Sequence, residues 1–383
     1  MSPIQSEYLA VPCGGSEVSV EIVSSQTALE KLAPEWDRLC KEVNEPNAFM
    51  TYGWYRAWTK RHMREQRSRY TPYVVVLRQG DAVSGIAPLI MRTASRWLRV
   101  RKLEFATIHS DYNDFLVAQN QATCIESFVQ YLSQTANEWD LIDLRDLRNP
   151  EESLAQIERA LTSAGLSFHR TQEKEGCPFL PIDGGADHAM KKLSGHVRRV
   201  LRKRLERAAA EGLTTRILER PDEDPGLIEK LVALDLHKAE RSEFPPFLGT
   251  YPEVFQELFE NLGPQGWIHV ALFEDAEQPV AYQVGFCCGS RLWDYTKAYD
   301  RKYYRFAPGS SLLPALLNFG YRRGFTEYDF LRGEEPYKLV WSSGIRKRHR
   351  LLIWNHRMAS RVRKFIYCDV KLSIRRHLLR SDV

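Results

Sequence analysis

The stretch WIHVALFEDAEQPVAYQVGFCCGSRLWDYTKAYD, Trp267–Asp300, reads as three strands joined by tight turns. A polar loop follows. PGSSLLPALLNFGYRRG, Pro308–Gly324, then reads as a helix, TEYDFLRG as a strand and KRHRLLIWN, Lys347–Asn355, as a last strand. Upstream lie a basic helix within Lys191–Gly212, a strand over Thr214–Glu219, and helices over Glu223–Ala239 and Tyr251–Leu262.

The first half has the same order. A strand at Val18–Val23 precedes a helix at Leu29–Val43, whose Leu29, Leu32, Trp36, Leu39 and Val43 recur at helical spacing. A second helix spans Asn47–Met63. Tyr73–Thr93 is a hairpin turning at Gly80-Asp81. Strands at Trp97–Thr107 and Asp111–Val117, a helix at Thr123–Glu138, a strand at Leu141–Leu147 and a helix at Glu151–Ala164 complete it. The expectation is an α/β (α+β) chain with two copies of one fold, each a mixed, mainly antiparallel sheet flanked by helices. The Pro- and Gly-bearing FLPIDGGAD marks the boundary. The lobes are expected at 18–182 and 183–355, with a basic amphipathic helix over 356–383.

Composition narrows the class. The 383 residues are 43% hydrophobic and 27% charged, as in an ordinary globular protein. No apolar run approaches the ~20 residues of a membrane helix, and the first twenty residues lack the pattern of a signal peptide. The seven cysteines are odd in number and scattered, with no C-x-x-C pair. Free thiols in a reducing, cytoplasmic compartment are expected, and no metal site. The net charge of +5 is concentrated in Lys191–Gly212 and in the tail from Arg346. Such clusters attract phosphates, nucleic acid or an anionic membrane surface, or are simply solvated helix faces. The 356–383 helix could lie on a membrane or dock a partner.

Two stretches carry candidate chemistry. In YDRKYYRFAPGSSLL a strand ends, a basic loop follows, and Pro308, Gly309, Ser310 and Ser311 open a helix. The N–H groups of a first helical turn form an anion site, and Arg301, Lys302 and Arg305 lie just upstream. In YDFLRGEEPYKLVW, Tyr328–Trp341, a strand gives way to Arg332, Gly333, paired glutamates and a lysine.

A strand, a basic loop, a Gly-containing helix start and a further strand ending in polar residues resemble the GNAT superfamily of acetyltransferases. Within it, the chain is similar to the BioF2-like acetyltransferase family typified by a bacterial cellulose-biosynthesis protein, which is related to the two-lobed Fem aminoacyltransferases. NAFMTYGWYRAW, GIAPLIMR, SDYNDFLV, VRRVLRKRLER, LDLHKAERSE, APGSSLL and YDFLRGEEPYKLVW carry the resemblance in that order. One glycine stands in the loop where the superfamily commonly has two.

The resemblance implies an acyltransferase that moves acetyl from acetyl-CoA, or another acyl from its CoA thioester, to an amine or hydroxyl acceptor. A polysaccharide-biosynthesis setting with a saccharide acceptor follows from the resemblance alone. Arg301, Arg305, Gly309, Ser310 and Ser311 would hold the CoA pyrophosphate. Asp329, Glu334 and Glu335 are candidate bases for the acceptor proton. Tyr337 would return a proton to the thiolate, and Lys338 would pair with a carboxylate or bind substrate. Asp111, Asp114, His237, Tyr295, Lys297 and Arg332 are expected to contact the acceptor. The alternatives are a Fem-like transferase using aminoacyl-tRNA, which no RNA-binding motif supports, and a catalytically lapsed binding subunit. No cysteine or serine stands with a histidine in a nucleophile motif.

Overall fold

The structure, a computed structural model, describes residues 9–13, 16–64, 69–94, 100–148, 151–239 and 245–357. Contacts divide the chain into two compact units. One takes Phe49–Glu173, the chain up to Asn44 and the chain from Arg348; the other takes Glu45–Ala48 and Lys174–Lys347.

The first unit begins with strands β1 (Leu9–Cys13) and β2 (Ser16–Val23). Helix α1 (Gln26–Glu42) follows, capped by the Ser25 hydroxyl, which accepts from the Ala28 N–H. It buries Leu29, Leu32, Trp36 and Leu39, the spacing the sequence showed. The expected helix over Asn47–Met63 is a 3₁₀ turn, Ala48–Met50, and then α2 (Tyr52–Arg64). The Trp36 indole N–H donates to the Met50 carbonyl at 2.7 Å, a bond that fixes this turn against α1. Strands β3 (Arg69–Gln79) and β4 (Ala82–Ala94) form the expected hairpin, with Gly80 at φ +60° in its turn. Then come β5 (Val100–Phe105), the short β6 (Leu116–Val117), α3 (Gln121–Gln134), β7 (Leu141–Arg148), α4 (Glu151–Ser163) and β8 (Ser167–Gln172). The expected strand from Asp111 is extended only at its end, because Ser110, Asp111 and Asn113 belong to a polar loop held by backbone bonds between Asn113, Asp146 and Arg148.

The second unit opens with β9 (Cys177–Pro181), α5 (Gly185–Lys192), α6 (Gly195–Ala210) and β10 (Thr214–Leu218). Helices α7 (Leu227–Ala239), α8 (Phe247–Thr250) and α9 (Pro252–Leu262) lead into β11 (Ile268–Asp275), β12 (Gln278–Cys288) and β13 (Arg291–Tyr299), the meander that the sequence announced. Helix α10 (Pro308–Arg322), β14 (Glu327–Asp329), α11 (Pro336–Trp341) and β15 (Gly344–Arg346) follow. The last strand, β16 (Arg348–Trp354), returns to the first unit.

Among the described residues the first sheet has nine strands in the order β1-β2-β3-β4-β5-β7-β16-β8, with β6 beside β4. The second has seven, β10-β11-β12-β13-β14-β9-β15. Pairing is antiparallel except for β5 with β7 and β13 with β14. Each unit has its own core. In the first, Phe128, Leu132, Leu154, Ile157 and Leu161 of α3 and α4 cover one face of the sheet. In the second, Leu312, Leu313, Leu316, Leu317 and Phe319 of α10 pack on Leu180, Leu292 and Tyr328. These apolar residues recur at helical and strand periods, so burial alone selects the pairing faces.

The boundary expected near Pro181–Asp187 differs from this arrangement at both ends. Cys177–Pro181 pairs in the second sheet and Arg348–Trp354 in the first. Composition located a linker, but pairing between strands far apart in sequence carries no local signal. The helix expected over 356–383 lies outside the described residues beyond Arg357. Among the described residues no helix is long and apolar enough to cross a membrane, and Cys40, Cys124, Cys177, Cys287 and Cys288 are free thiols.

Candidate active site

Strands β13 and β14 run parallel only over Arg291–Trp293 and Glu327–Asp329. β13 then continues to Tyr299 while the chain after Asp329 turns away. On its other side β13 stays paired with β12, with a register shift that leaves Tyr295 as an extra residue between Asp294 and Thr296. Such a bulge bends the strand and re-aims its side chains. The divergence opens a cleft of about 700 Å³ within the second unit. Asp294, Tyr295, Thr296 and Lys297 line it from β13, and Ala307, Gly309 and Ser310 from the start of α10. Arg332, Glu335, Tyr337 and Lys338 line it from the stretch after β14, and Arg204 from α6.

The helix start has an unusual supply of donors. Ala307 is the N-cap, held left-handed at φ +45°, and Pro308 has no N–H to give. The N–H groups of Ser310 and Ser311 both donate to the Ala307 carbonyl, at 2.9 and 3.0 Å. The Gly309 N–H is the first-turn donor left over. A Cβ on Gly309 would meet only Lys297 Cδ, at 3.8 Å, so the glycine keeps the cleft open there and relieves no crowding.

The residues expected to hold phosphate are only partly gathered here. Gly309 and Ser310 line the cleft. Ser311 is buried, and its hydroxyl donates to the Phe306 carbonyl at 2.6 Å, so it closes the turn. Arg305 pairs with Glu211 and lies over the Phe306 ring. Arg301 begins the preceding turn, exposed, and is not among the cleft residues.

The stretch from Tyr328 divides similarly. Asp329 is 1% exposed. Its carboxylate accepts from Arg346 Nη1 at 2.9 Å and from the Leu331 N–H at 2.8 Å. Arg346 also pairs with Glu327, which pairs with Arg291. This network ties β13, β14 and β15 together, and Asp329 is not among the cleft residues. Glu334 accepts from the Gly176 N–H at 2.8 Å and braces the loop instead of facing the cleft. Leu331 at φ +54° and Gly333 at φ +110° make the reversal between them. The second conformation suits glycine alone, which accounts for the glycine in this polar run.

Glu335, Tyr337, Lys338 and Arg332 do meet. Lys338, 6% exposed, donates from Nζ to the Arg332 carbonyl at 2.5 Å and pairs with Glu335 at 3.0 Å. Across the cleft Lys297 pairs with Asp294 at 2.5 Å, and its Nζ stands 4.7 Å from the centre of the Tyr337 ring. Burial first, and then the negative charges of Asp294 and Glu335, push the Tyr337 phenol well above its ordinary range. The phenol therefore keeps its proton even at pH values where an ordinary tyrosine ionises. Tyr295 packs with Phe247, Phe255 and Phe286.

Asp111 and Asp114 belong to the first unit. Asp114 accepts from the Phe115 N–H and caps its own turn, and Asp111 is 8% exposed in the same loop. His237 is on α7, and its side chain lies outside the described residues. Two charged cleft residues escaped the sequence reading. Asp294, 4% exposed, was visible as the one carboxylate in the run RLWDYTKAY. Arg204 was hidden among the many cations of α6.

Residues 195–339 match the acetyltransferase (GNAT) domain family. No curated protein matches the chain by sequence. Among solved structures the chain is similar to FemX, with a TM-score of 0.61 and 13% identity over 83% of this chain and 95% of that one. It is also similar to a conserved protein of unknown function from Bacteroides thetaiotaomicron, with a TM-score of 0.56 and 10% identity over 87% of this chain and 100% of that one. These likenesses extend the shared fold over both units, while the family match covers α6 to α11 and every residue that lines the cleft. Over residues 195–339, therefore, the chain is similar to the GNAT acetyltransferase domain.

Proposed function

We propose that the second unit transfers an acyl group, acetyl from acetyl-CoA, to the amine or hydroxyl of a small-molecule or saccharide acceptor. The observation that carries this reading is the cleft where β13 leaves β14 beside the start of α10. Past Trp293, β13 offers β14 an edge without ladder bonds, and an extended amide chain can pair with such an edge as an added strand. The pantetheine arm carries two amides and suits it. The donor phosphates would then lie toward Gly309 and the thioester toward Asp294 and Tyr337.

In the reaction the acceptor nitrogen or oxygen attacks the thioester carbonyl carbon, and the carbonyl oxygen gains the negative charge. The carbon–sulfur bond then breaks and the CoA thiolate leaves. Tyr337 hands that thiolate its phenol proton, and the proton taken from the acceptor by the cleft carboxylate restores the phenol, so the thiol leaves and the site is reset. The acceptor's proton passes to a carboxylate of the cleft, Glu335 or Asp294. An acceptor in a polysaccharide or cell-envelope pathway rests on the family resemblance alone. Aminoacyl-tRNA is the alternative donor, and it rests on the resemblance to the Fem aminoacyltransferases alone.

Calorimetric titration with acetyl-CoA tests the reading. The wild type is expected to bind saturably, and Gly309→Trp, which fills the space above Lys297, to lose binding while remaining folded. Absence of binding by acetyl-CoA and longer acyl-CoAs to folded wild type would sink it.

A further inference from the structure

Helix α6 carries a cation inside its apolar stripe. Val197, Leu201, Leu205 and Ala208 form its inward stripe, with Leu201 and Ala208 buried. Residue 204 falls inside that stripe, three beyond Leu201 and four before Ala208, where helical periodicity calls for an apolar side chain. The chain has Arg204 there, half-buried; Arg198, at the margin of the stripe, is also half-buried but is not among the cleft residues, and Arg199, Arg202, Lys203 and Arg207 are exposed. α6 packs against the 301–306 turn and against α10. That packing brings Arg204 to the cleft beside Tyr304, Gly309 and Ser310. Among the described residues no carboxylate pairs with Arg204.

A half-buried guanidinium has lost part of its hydration, and a counter-charge restores what burial removed. The fork of an arginine fits phosphate oxygens in particular. The neighbouring helix start cannot meet a pyrophosphate alone, since the Gly309 N–H is its one spare donor and Arg305 is engaged with Glu211. We propose that Arg204 binds the pyrophosphate of the acyl donor and supplies the charge that the single-glycine loop lacks. This rests on the acyl-CoA reading above. It assigns the donor's phosphate recognition to a helix about a hundred residues upstream of the loop.

Arg204→Met keeps the apolar stem and removes the charge; Arg204→Lys keeps the charge and loses the fork. Acetyl-CoA is titrated into both variants and the wild type by calorimetry, alone and with inorganic pyrophosphate as competitor. Circular dichroism confirms folding. Arg204→Met is expected to bind acetyl-CoA about tenfold more weakly, with a shallower salt dependence, and Arg204→Lys to fall between. Pyrophosphate should displace acetyl-CoA from the wild type and fail to do so at the same concentration with Arg204→Met. Unchanged acetyl-CoA affinity in a wild type that binds overturns the role of Arg204 and leaves the acyl-CoA reading standing. Pyrophosphate that binds through Arg204 without displacing acetyl-CoA also overturns it, because the anion would then belong to the acceptor. Wild type that binds no acetyl-CoA overturns both readings.

Discussion

Asp329 and Tyr337 stand eight residues apart and face different demands. Asp329 answers to Arg346 and the Leu331 N–H and is not among the cleft residues. Removing its charge and one of its two acceptor oxygens leaves either Arg346 or the Leu331 N–H facing an amide NH₂. Asp329→Asn is expected to destabilise the protein by about 2–3 kcal/mol in urea unfolding, with acetyl-CoA affinity unchanged. A loss of turnover without loss of stability would restore it as a base. Tyr337 faces the cleft, and burial holds its proton. Tyr337→Phe is expected to lower kcat about 10²-fold or more with little change in acetyl-CoA affinity. The wild-type rate should show no tyrosine limb near pH 10, because the raised phenol is still protonated there. The residue scale is where sequence reading stopped soonest. The types in YDFLRGEEPYK announced charge at a strand end, but only the fold reveals that Asp329 meets Arg346 while Glu335 and Lys338 meet each other at the cleft.

Elements were more legible, because their signals are local. Alternating apolar residues and the Gly80 turn gave β3 and β4, and helical spacing gave α1. The exceptions have physical causes. The loop around Asp111 bonds through its backbone to β7, so its residues cannot extend as a strand. Within β7, Asp143 is 2% exposed and joins three strands by accepting from Lys102 and Arg350. Burial works to raise its pKa, but the hydrogen bond from Arg350 and the charges of Lys102 and Arg350 outweigh burial and hold it at about 2, below the usual 3.8. A depressed carboxylate stabilises the fold fully above its unfolded pKa, and the contribution disappears as pH falls through the folded value. About 2 kcal/mol should therefore be lost between pH ~4 and ~2. In Asp143→Asn this part of the acid transition should flatten, measured as unfolding free energy against pH. An equal slope in variant and wild type would assign the acid loss to other groups.

Across the whole molecule, the two copies of one fold were legible from the repeated order of elements, but their edges were not. Each sheet takes a strand from the other side of the expected boundary. β9 lies between β14 and β15, and β16 lies between β7 and β8. A fragment cut at the linker, residues 183–355, lacks β9 and would leave β14 and β15 without their common neighbour. A fragment spanning 174–347 retains the second sheet entire. The longer-reaching cut is expected to give a folded fragment that binds acetyl-CoA, and the linker cut an aggregating one, by circular dichroism and calorimetry. Equal behaviour of the two fragments would show that β9 is dispensable.

The position of β16 also sets an order of events on the ribosome. β7 and β8 are synthesised close together, yet they never pair with each other; both pair with a strand made nearly two hundred residues later. Until Trp354 has emerged from the exit tunnel, the nascent first sheet ends at an open β7 edge and β8 has no strand to pair with, while the second unit is already being made. The second sheet has the opposite history, since β9 precedes all its partners and waits for them. A stalled or truncated translation product would therefore release a chain whose earliest-made sheet is its last to close, and whose exposed edges are the natural target of chaperones or of aggregation.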